Sequence, residues 1–497
     1  MIEHVFLLML ENRSFDHMLG YSGITGNAVG GGLATLEGMS AGGFANVYNS
    51  QSYPTTPDAD DIMPFDPGHE FPDVLEQLAG TGASYSPNRY PLINNSGFVA
   101  NYATTKSPQE GGATTNFGEI MKCYPADGLP ALKALARQFA VCDHWYSSLP
   151  GPTWPNRFFA MAASSGGLDC SPSDLEMGEW MVDGFEFQNG DIFQAIANQP
   201  GLGGWKLYAG SHPPIACALR GVSLLDAAPL DQLASDLAAG SYAPSFTLIE
   251  PNYGDSAAGT YKGGNSQHPM DSALAGDALI QRVYESIRSS SIWNQSLLII
   301  TYDEHGGFYD HCVPPPAIPP GDLPMHSNVN RNGFTFDQLG VRVPAVVVSP
   351  LIPANTIDHT VYDHSSISAT LHYVFGTKFL TNRDEQANNP AQVLATLPNP
   401  RPDCPPTIGP PPPPLPAAPN GTNLATAAND PIPATGNSRG FLGILLKTDV
   451  ELSPPEQRQS IISEFNLLRT KGDFAQYRQK VMAKVAAAQA AESGAGP

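Results

Sequence analysis

The sequence predicts an α/β sandwich of three layers built on a mainly parallel central sheet, followed by a helical C-terminal tail. Three observations carry this. Short apolar runs read as strands covered on both faces, helical periodicities lie between them, and the character of the chain changes after Pro400.

The runs expected as buried parallel strands are His4–Leu10, Phe139–His144, Ser245–Ile249, Leu297–Tyr302 and Val343–Val348. Helices are expected over Leu129–Phe139, Asp191–Asn198 and Ser272–Arg288, where Leu279, Val283 and Ile287 recur at helical spacing. The Gly- and Ser-rich stretches 20–53 and 80–116 read as surface excursions. Residues 1–400 are expected to form the main domain, 401–450 a Pro-rich linker and extended segment, and 451–497 a helical tail. Five consecutive prolines, Pro410–Pro414, force an extended backbone. Ser453-Pro454-Pro455-Glu456 reads as a helix start, and Gly472-Asp473 as a break before a second helix.

With 497 residues and 41% hydrophobic content, the chain can bury a large core. Its 47 acids against 25 bases leave a formal charge of −22. That field argues against nucleic acid and anionic membrane surfaces as partners, but not against zwitterionic lipid. No apolar run reaches the roughly 18 residues that a membrane-spanning helix needs. No signal peptide precedes His4–Leu10, so the expected location is cytoplasmic, or secreted or periplasmic if a leader was removed. The six cysteines lack CxxC spacing, which argues against a zinc ribbon and leaves disulfides or free thiols open.

In open α/β sheets, ligands bind beyond the carboxyl ends of the strands. Four expected strands deliver polar residues to that rim. One ends at Glu11-Asn12, one leads to Pro150-Gly151-Pro152-Thr153, one ends at Glu250 with Asp255 soon after, and one ends at Asp303-Glu304-His305. Adjacent carboxylates after a buried strand repel each other, and a divalent cation relieves that repulsion; the alternative is a solvated acidic turn. Glu11 and Asn12 add oxygen donors, or else start a helix. Thr153 sits in a rigid Pro-Thr-Trp-Pro setting before a helix, as a nucleophile facing a phosphate or as an ordinary cap. His69 and His268 precede helical stretches, where imidazoles donate to phosphoryl oxygens or protonate a leaving group, or are merely solvated. His305 lies next to the carboxylate pair and is expected to orient it. Asp363-His364 reads as a structural helix start closing the domain.

The segments LENRSFDHMLG, DPGHEF, LPGPTWPNRFF, HPMD and IITYDEHGGFYDHCVPP resemble the bacterial phosphoesterase family of phospholipases C and acid phosphatases, whose motifs plant non-specific phospholipases C share. The resemblance runs over residues 1–385 and implies an alkaline-phosphatase-like core with one metal site. It implies metal ligation by Glu11, Asn12, Thr153, Asp303 and Glu304. It also implies a nucleophilic role for Thr153, and phosphoryl contacts for His69 and His268. His212 is assigned to a further family histidine, and Asp255 and His305 are set beside the phosphate or behind the ligands. The tail after residue 400 departs from the β-rich C-terminal region of the large bacterial phospholipases.

The expected activity is that of a metal-dependent phosphoesterase of phospholipase C type, working through a phosphothreonine. Oxygen ligation suits magnesium, calcium or manganese, and a histidine in the shell admits zinc. The expected substrate is a phospholipid or a small phosphate ester. The sequence leaves open an acid phosphatase on the same site, and a non-catalytic metal- or phospholipid-binding protein on the same fold. It leaves the oligomeric state open too.

Overall fold

A computed structural model describes the chain except residues 40–42, 106–115, 173–174, 211–212, 256–260, 412–427, 434–435 and 495–497. Its strands are β1 (His4–Leu10), β2 (Thr25–Ala28), β3 (Leu33–Thr35), β4 (Ala45–Tyr48), β5 (Gln51–Pro54), β6 (Ala140–Cys142), β7 (Trp205–Ala209), β8 (Ala227–Pro229), β9 (Phe246–Glu250), β10 (Ser296–Tyr302), β11 (Ala345–Val348) and β12 (Thr356–Asp358). Ten of these form one sheet in the order β3-β2-β12-β6-β11-β10-β1-β9-β7-β8, and β4 pairs with β5 in a separate hairpin.

The expected mainly parallel α/β sandwich is the observed class. Strand β1 pairs in parallel with both β10 and β9, and β9 and β8 each pair in parallel with β7. Every residue of β1 and β10 is buried, so both faces at the sheet centre are covered. One group of helices packs Pro130–Gln138 and Leu233–Ala238 against Ala273–Ser289. Another packs Thr153–Ala162, Asn382–Gln386 and Pro390–Leu394 around Ser365–Phe375. Ser272 caps Ala273–Ser289 by accepting from the Ala275 N–H, and Asp191 caps Ile192–Ala197 in the same way through Gln194.

Several expectations need correction. β11 lies inside the run expected as a parallel strand, but it pairs antiparallel with both β10 and β6. Apolarity reports burial, not direction. The chain leaves β10 at the site rim, wanders through 303–344 and re-enters at the same rim, so β11 must run back. The excursion 20–53 contributes β2 to the main sheet, next to β12. Its Thr-Gly-Asn-Ala sequence is half exposed at the sheet margin and carries no apolar run. Within the other excursion, Phe98–Thr104 is a helix that buries Phe98, Val99 and Tyr102.

The segment expected to run extended, 401–450, contains the buried helix Ser438–Glu451. Pro410 and Pro411 are described, but Pro412–Pro414 lie outside the described residues. Further on, Ser453 does not cap a helix; its hydroxyl donates back to the Asp449 carbonyl. The helix begins at Arg458 after a short 3₁₀ turn at Pro455–Gln457. Gly472-Asp473 lies inside the last helix, Lys471–Gly494, which buries Phe474, Tyr477 and Val481. No helix among the described residues is long and apolar enough to cross a membrane. All six cysteines are free thiols.

Candidate active site

Register builds the site. Leu10 of β1 is paired with Tyr302 of β10, so Glu11 and Asp303 emerge side by side where the two strands end. Asn12 then turns with φ of 58°, a left-handed conformation that Asn tolerates. Gly306 closes on this turn from the other strand. A Cβ there would lie 2.1 Å from the Asn12 carbonyl oxygen, so only glycine permits the approach.

Glu11, Asn12, Asp303 and Glu304 are fully buried, and Thr153 is nearly so. Asp303 Oδ1 accepts from the backbone N–H of Asn12 (3.0 Å) and of Glu304 (2.8 Å). Its Oδ2 accepts from Arg157 Nε at 2.9 Å. Glu304 Oε2 accepts from the Gly306 N–H at 2.7 Å and faces His305 Nδ1 at 3.3 Å. Glu304 Oε1, Glu11 Oε2 and Asn12 Nδ2 have no hydrogen-bond partner. Burial pushes the Glu11 carboxyl well above its ordinary range, with the Asp303 charge adding to the effect. Burial also pushes Asp303 up to about 6, Arg157 offsetting part of this and Glu304 adding to it.

Thr153 opens the helix Thr153–Ala162; Pro152, not Thr153, occupies the cap position. The amide of Asn156 holds the preceding turn by donating to the carbonyls of Gly151 (2.9 Å) and Pro152 (3.0 Å). Thr153 Oγ1 donates to Asn12 Oδ1 at 3.2 Å. The nucleophile expected from one strand end therefore touches a ligand expected from another.

His69 and His268 lie with their rings 6.2 Å apart and almost perpendicular. His69 Nδ1 donates to the Pro67 carbonyl at 2.9 Å. Burial pulls the His69 pKa down, but the Glu304 carboxylate and then Asp66 reverse this and push it up to about 9. Burial, then the His69 and Arg13 charges, hold His268 well below its ordinary value. The two imidazoles are pushed in opposite directions, the kind of split that assigns different proton roles. His268 Nε2 points to Asp66 Oδ1 at 3.5 Å, and its ring stacks on Tyr261.

The remaining expected residues fall further out. His305 Nε2 bonds Gln77 Oε1 at 2.7 Å, which fixes the ring against Glu304. Asp255 is buried, and its charge acts on Arg478 of the last helix. His212 lies outside the described residues. His364 immediately precedes its helix as expected, and its Nε2 donates to the Asp303 carbonyl at 2.6 Å.

Two residues were missed by sequence reasoning. Arg157 donates to Asp303, reaches toward Glu250 at 3.9 Å and bonds the Met9 and Leu10 carbonyls of β1. Its signal was available, because it lies four residues after Thr153 on one helix face. Asn437 donates from Nδ2 to Glu11 Oε1 at 2.9 Å across a sequence separation of 426. Nothing local in the sequence marks it.

The donors suit a divalent cation. Two buried carboxylate oxygens at adjacent strand ends lack any donor, and a cation between them supplies the missing charge. Among the described residues, the sets whose ligand atoms lie within 4.8 Å of one another are Asp66-His69-His268, Asp16-Asp310-His311 and Glu37-His311-Cys312, and the Glu11, Asp303 and Glu304 carboxylates do not form such a set.

Residues 2–378 match the family model described as the Phosphoesterase family. Among curated relatives, non-specific phospholipase C6 of Arabidopsis thaliana is 35% identical over 82% of this chain and 75% of that protein. Phospholipase C A of Mycobacterium tuberculosis is 26% identical over 72% of this chain and 71% of that protein. A solved structure of an alkaline phosphatase superfamily protein from Vibrio parahaemolyticus overlays 52% of this chain and 64% of that one, at 13% identity and a TM-score of 0.31.

Proposed function

This chain belongs to the Phosphoesterase family and is a phosphoric ester hydrolase, and on that premise we propose that it is a phospholipase C-type enzyme acting through a phosphothreonine at Thr153. The observation that carries the proposal is the hydrogen bond from Thr153 Oγ1 to Asn12, at the start of a helix and beside two unpartnered buried carboxylate oxygens.

Glu11, Asn12, Asp303, Glu304 and Thr153 would hold one divalent cation, which when bound lowers the pKa of the Thr153 hydroxyl and offsets phosphoryl charge. Thr153 Oγ1, its proton first released to solvent, bonds phosphorus as an alkoxide while the bond from phosphorus to the leaving alcohol breaks. The helix N-terminus at Thr153 favours the added negative charge. His69, in its protonated form and facing Asp66, donates its Nε2 proton to the departing alkoxide. His268 stays neutral and contributes a hydrogen bond without a competing charge. In the second half, neutral His69 takes a proton from water, the water oxygen bonds phosphorus, and the Thr153–phosphorus bond breaks.

The phospholipase reading, in preference to acid phosphatase, is supported by the names of the curated relatives, which are phospholipases C from a plant and a bacterium. The deciding experiment runs Thr153→Ala and Thr153→Ser on phosphatidylcholine and p-nitrophenyl phosphate, with acid quenching and mass spectrometry for phosphothreonine. A loss of about 10³-fold or more in Thr153→Ala, partial activity in Thr153→Ser and a trapped phosphopeptide are expected. Parent-like turnover by Thr153→Ala overturns the covalent route. Strong turnover of the monoester with none of the lipid overturns the phospholipase assignment.

A further inference from the structure

We propose that Asn437, from the segment beyond the family-matched residues, is a positioning residue that completes the active site by fixing the carboxylate of Glu11. The inference rests on the metal role assigned above to Glu11.

Three hydrogen bonds converge on this one residue. Its side-chain Nδ2 donates to Glu11 Oε1 at 2.9 Å. Its Oδ1 accepts from Trp154 Nε1 at 2.9 Å, and Trp154 directly follows Thr153. Its backbone N–H donates to the Tyr261 hydroxyl at 3.3 Å, and the Tyr261 ring stacks on His268 with centroids 3.5 Å apart. Asn437 is 2% exposed and opens the helix Ser438–Glu451. One residue, through its side-chain amide and its backbone N–H, thus ties the Glu11 strand end, the start of the Thr153 helix and the support of His268.

The direction of these bonds gives the amide its role. Glu11 has two carboxylate oxygens in a fully buried setting. Asn437 occupies one of them, and the other, Oε2, is left without a donor. Trp154 in turn holds Asn437 by its carbonyl oxygen, which leaves Nδ2 as the end that faces Glu11. Asn437 therefore shares the holding of the carboxylate with the Ser266 side chain, while Oε2 has no hydrogen-bond partner, as outer partners of metal ligands commonly arrange.

The helix behind Asn437 is seated to hold it there. A Cβ on Gly440 would lie 2.1 Å from Trp154 Cζ2, so the helix backbone rests directly on the indole. A Cβ on Gly443 would lie 2.4 Å from Met181 Sδ. The same helix is covered from outside by Arg458–Phe465 and Lys471–Gly494. The C-terminal segment, which the family model does not cover, is on this argument a working part of the site.

The test strips the full chain of metal and titrates it with Mg²⁺, Ca²⁺, Mn²⁺ and Zn²⁺ alone by calorimetry, alongside thermal melting. The variants are Asn437→Ala, Asn437→Leu, Glu11→Ala and Lys447→Met. Lys447 donates to the Val222 carbonyl from the same helix and does not touch Glu11, so it reports general loosening. The expected result is metal affinity weakened about 10- to 100-fold in both Asn437 variants, with Lys447→Met at parent affinity. If Glu11→Ala loses affinity and the Asn437 variants do not, the inference is wrong and the metal role of Glu11 stands. If neither Glu11→Ala nor the Asn437 variants change affinity, the metal role itself is wrong, and the inference falls with it. Equal weakening in Lys447→Met shows a fold effect and also overturns the inference.

Discussion

Arg157 Nε donates to Asp303 Oδ2 across 2.9 Å, with both side chains buried. The same guanidinium faces Glu250 at 3.9 Å and lies over the Tyr253 ring. Three strand ends are therefore joined by one cation of the chain's own. Truncating it leaves two carboxylates buried without a counter-charge. Arg157→Met is expected to cost about 3–5 kcal/mol, read from urea unfolding. Arg157→Lys keeps a charge but loses the fork, and should recover only part of the loss. Stability within about 1 kcal/mol of the parent in Arg157→Met would show that the pair holds nothing together.

Removing the cation should matter most above the carboxylate pKa values. Asp303 in the folded, metal-free chain is pushed up to about 6 from an ordinary 3.8, and Glu11 is raised as well. The folded state then binds more protons than the unfolded one in that window, so stability falls as pH rises from about 4 through 6. A bound cation compensates the ionised forms. The melting-temperature difference between EDTA-treated and metal-loaded protein is expected to be larger at pH 7 than at pH 4.5. A difference that shrank on going from pH 4.5 to pH 7 would contradict this assignment of charge.

His69 gives the same sign of slope in a higher window. Its folded pKa is pushed up to about 9 from an ordinary 6.5, by Glu304 and Asp66 acting against burial. Its contribution to stability is fully present below 6.5 and is lost as pH rises through about 9. Proton NMR of the metal-free protein should place the His69 midpoint near 9. Metal addition, by neutralising Glu304, should move the midpoint down toward 6.5. A midpoint that ignores the metal would separate His69 from the carboxylate site.

Gly306→Ala tests the close approach of the two strand ends. A Cβ there meets the Asn12 carbonyl at 2.1 Å, and the position has φ of +64°. A loss of at least about 1 kcal/mol is expected. Metal affinity should fall as well, because Asn12 must move. Unchanged melting and unchanged affinity would mean that the turn has room to spare.

The strand ends were legible because burial and polarity change abruptly there. Leu10 to Glu11 and Tyr302 to Asp303 are visible in sequence, and pairing in register needed only the parallel sheet. The helix Ala273–Ser289 was legible from its period and its Ser272 cap. The direction of β11 was not, since an apolar run looks alike both ways. Strands β7 and β12 were missed because Trp205–Ala209 mixes Lys and Tyr with apolar residues and Thr356–Asp358 spans only three residues. Thr153 was visible as a hydroxyl near a helix start, but its bond to Asn12 depends on two elements meeting in space. Asn437 was invisible for the same reason, amplified: it lies in a Gly- and Ser-rich stretch that reads as loop, and its partner is at the other end of the chain.

The return of β11 beside β10 has a consequence for changes of chain length. The excursion 303–344 leaves the sheet and comes back to it on adjacent strands at a single rim. It is a hoop with both feet planted on the same ledge. Its far portion, beyond the acidic pair and the His305–Cys312 turn, contributes no strand to the sheet, although Arg331 and Asn332 anchor it on Asp169. Changes of length in this hoop fall outside the sheet and leave its strand order as it is.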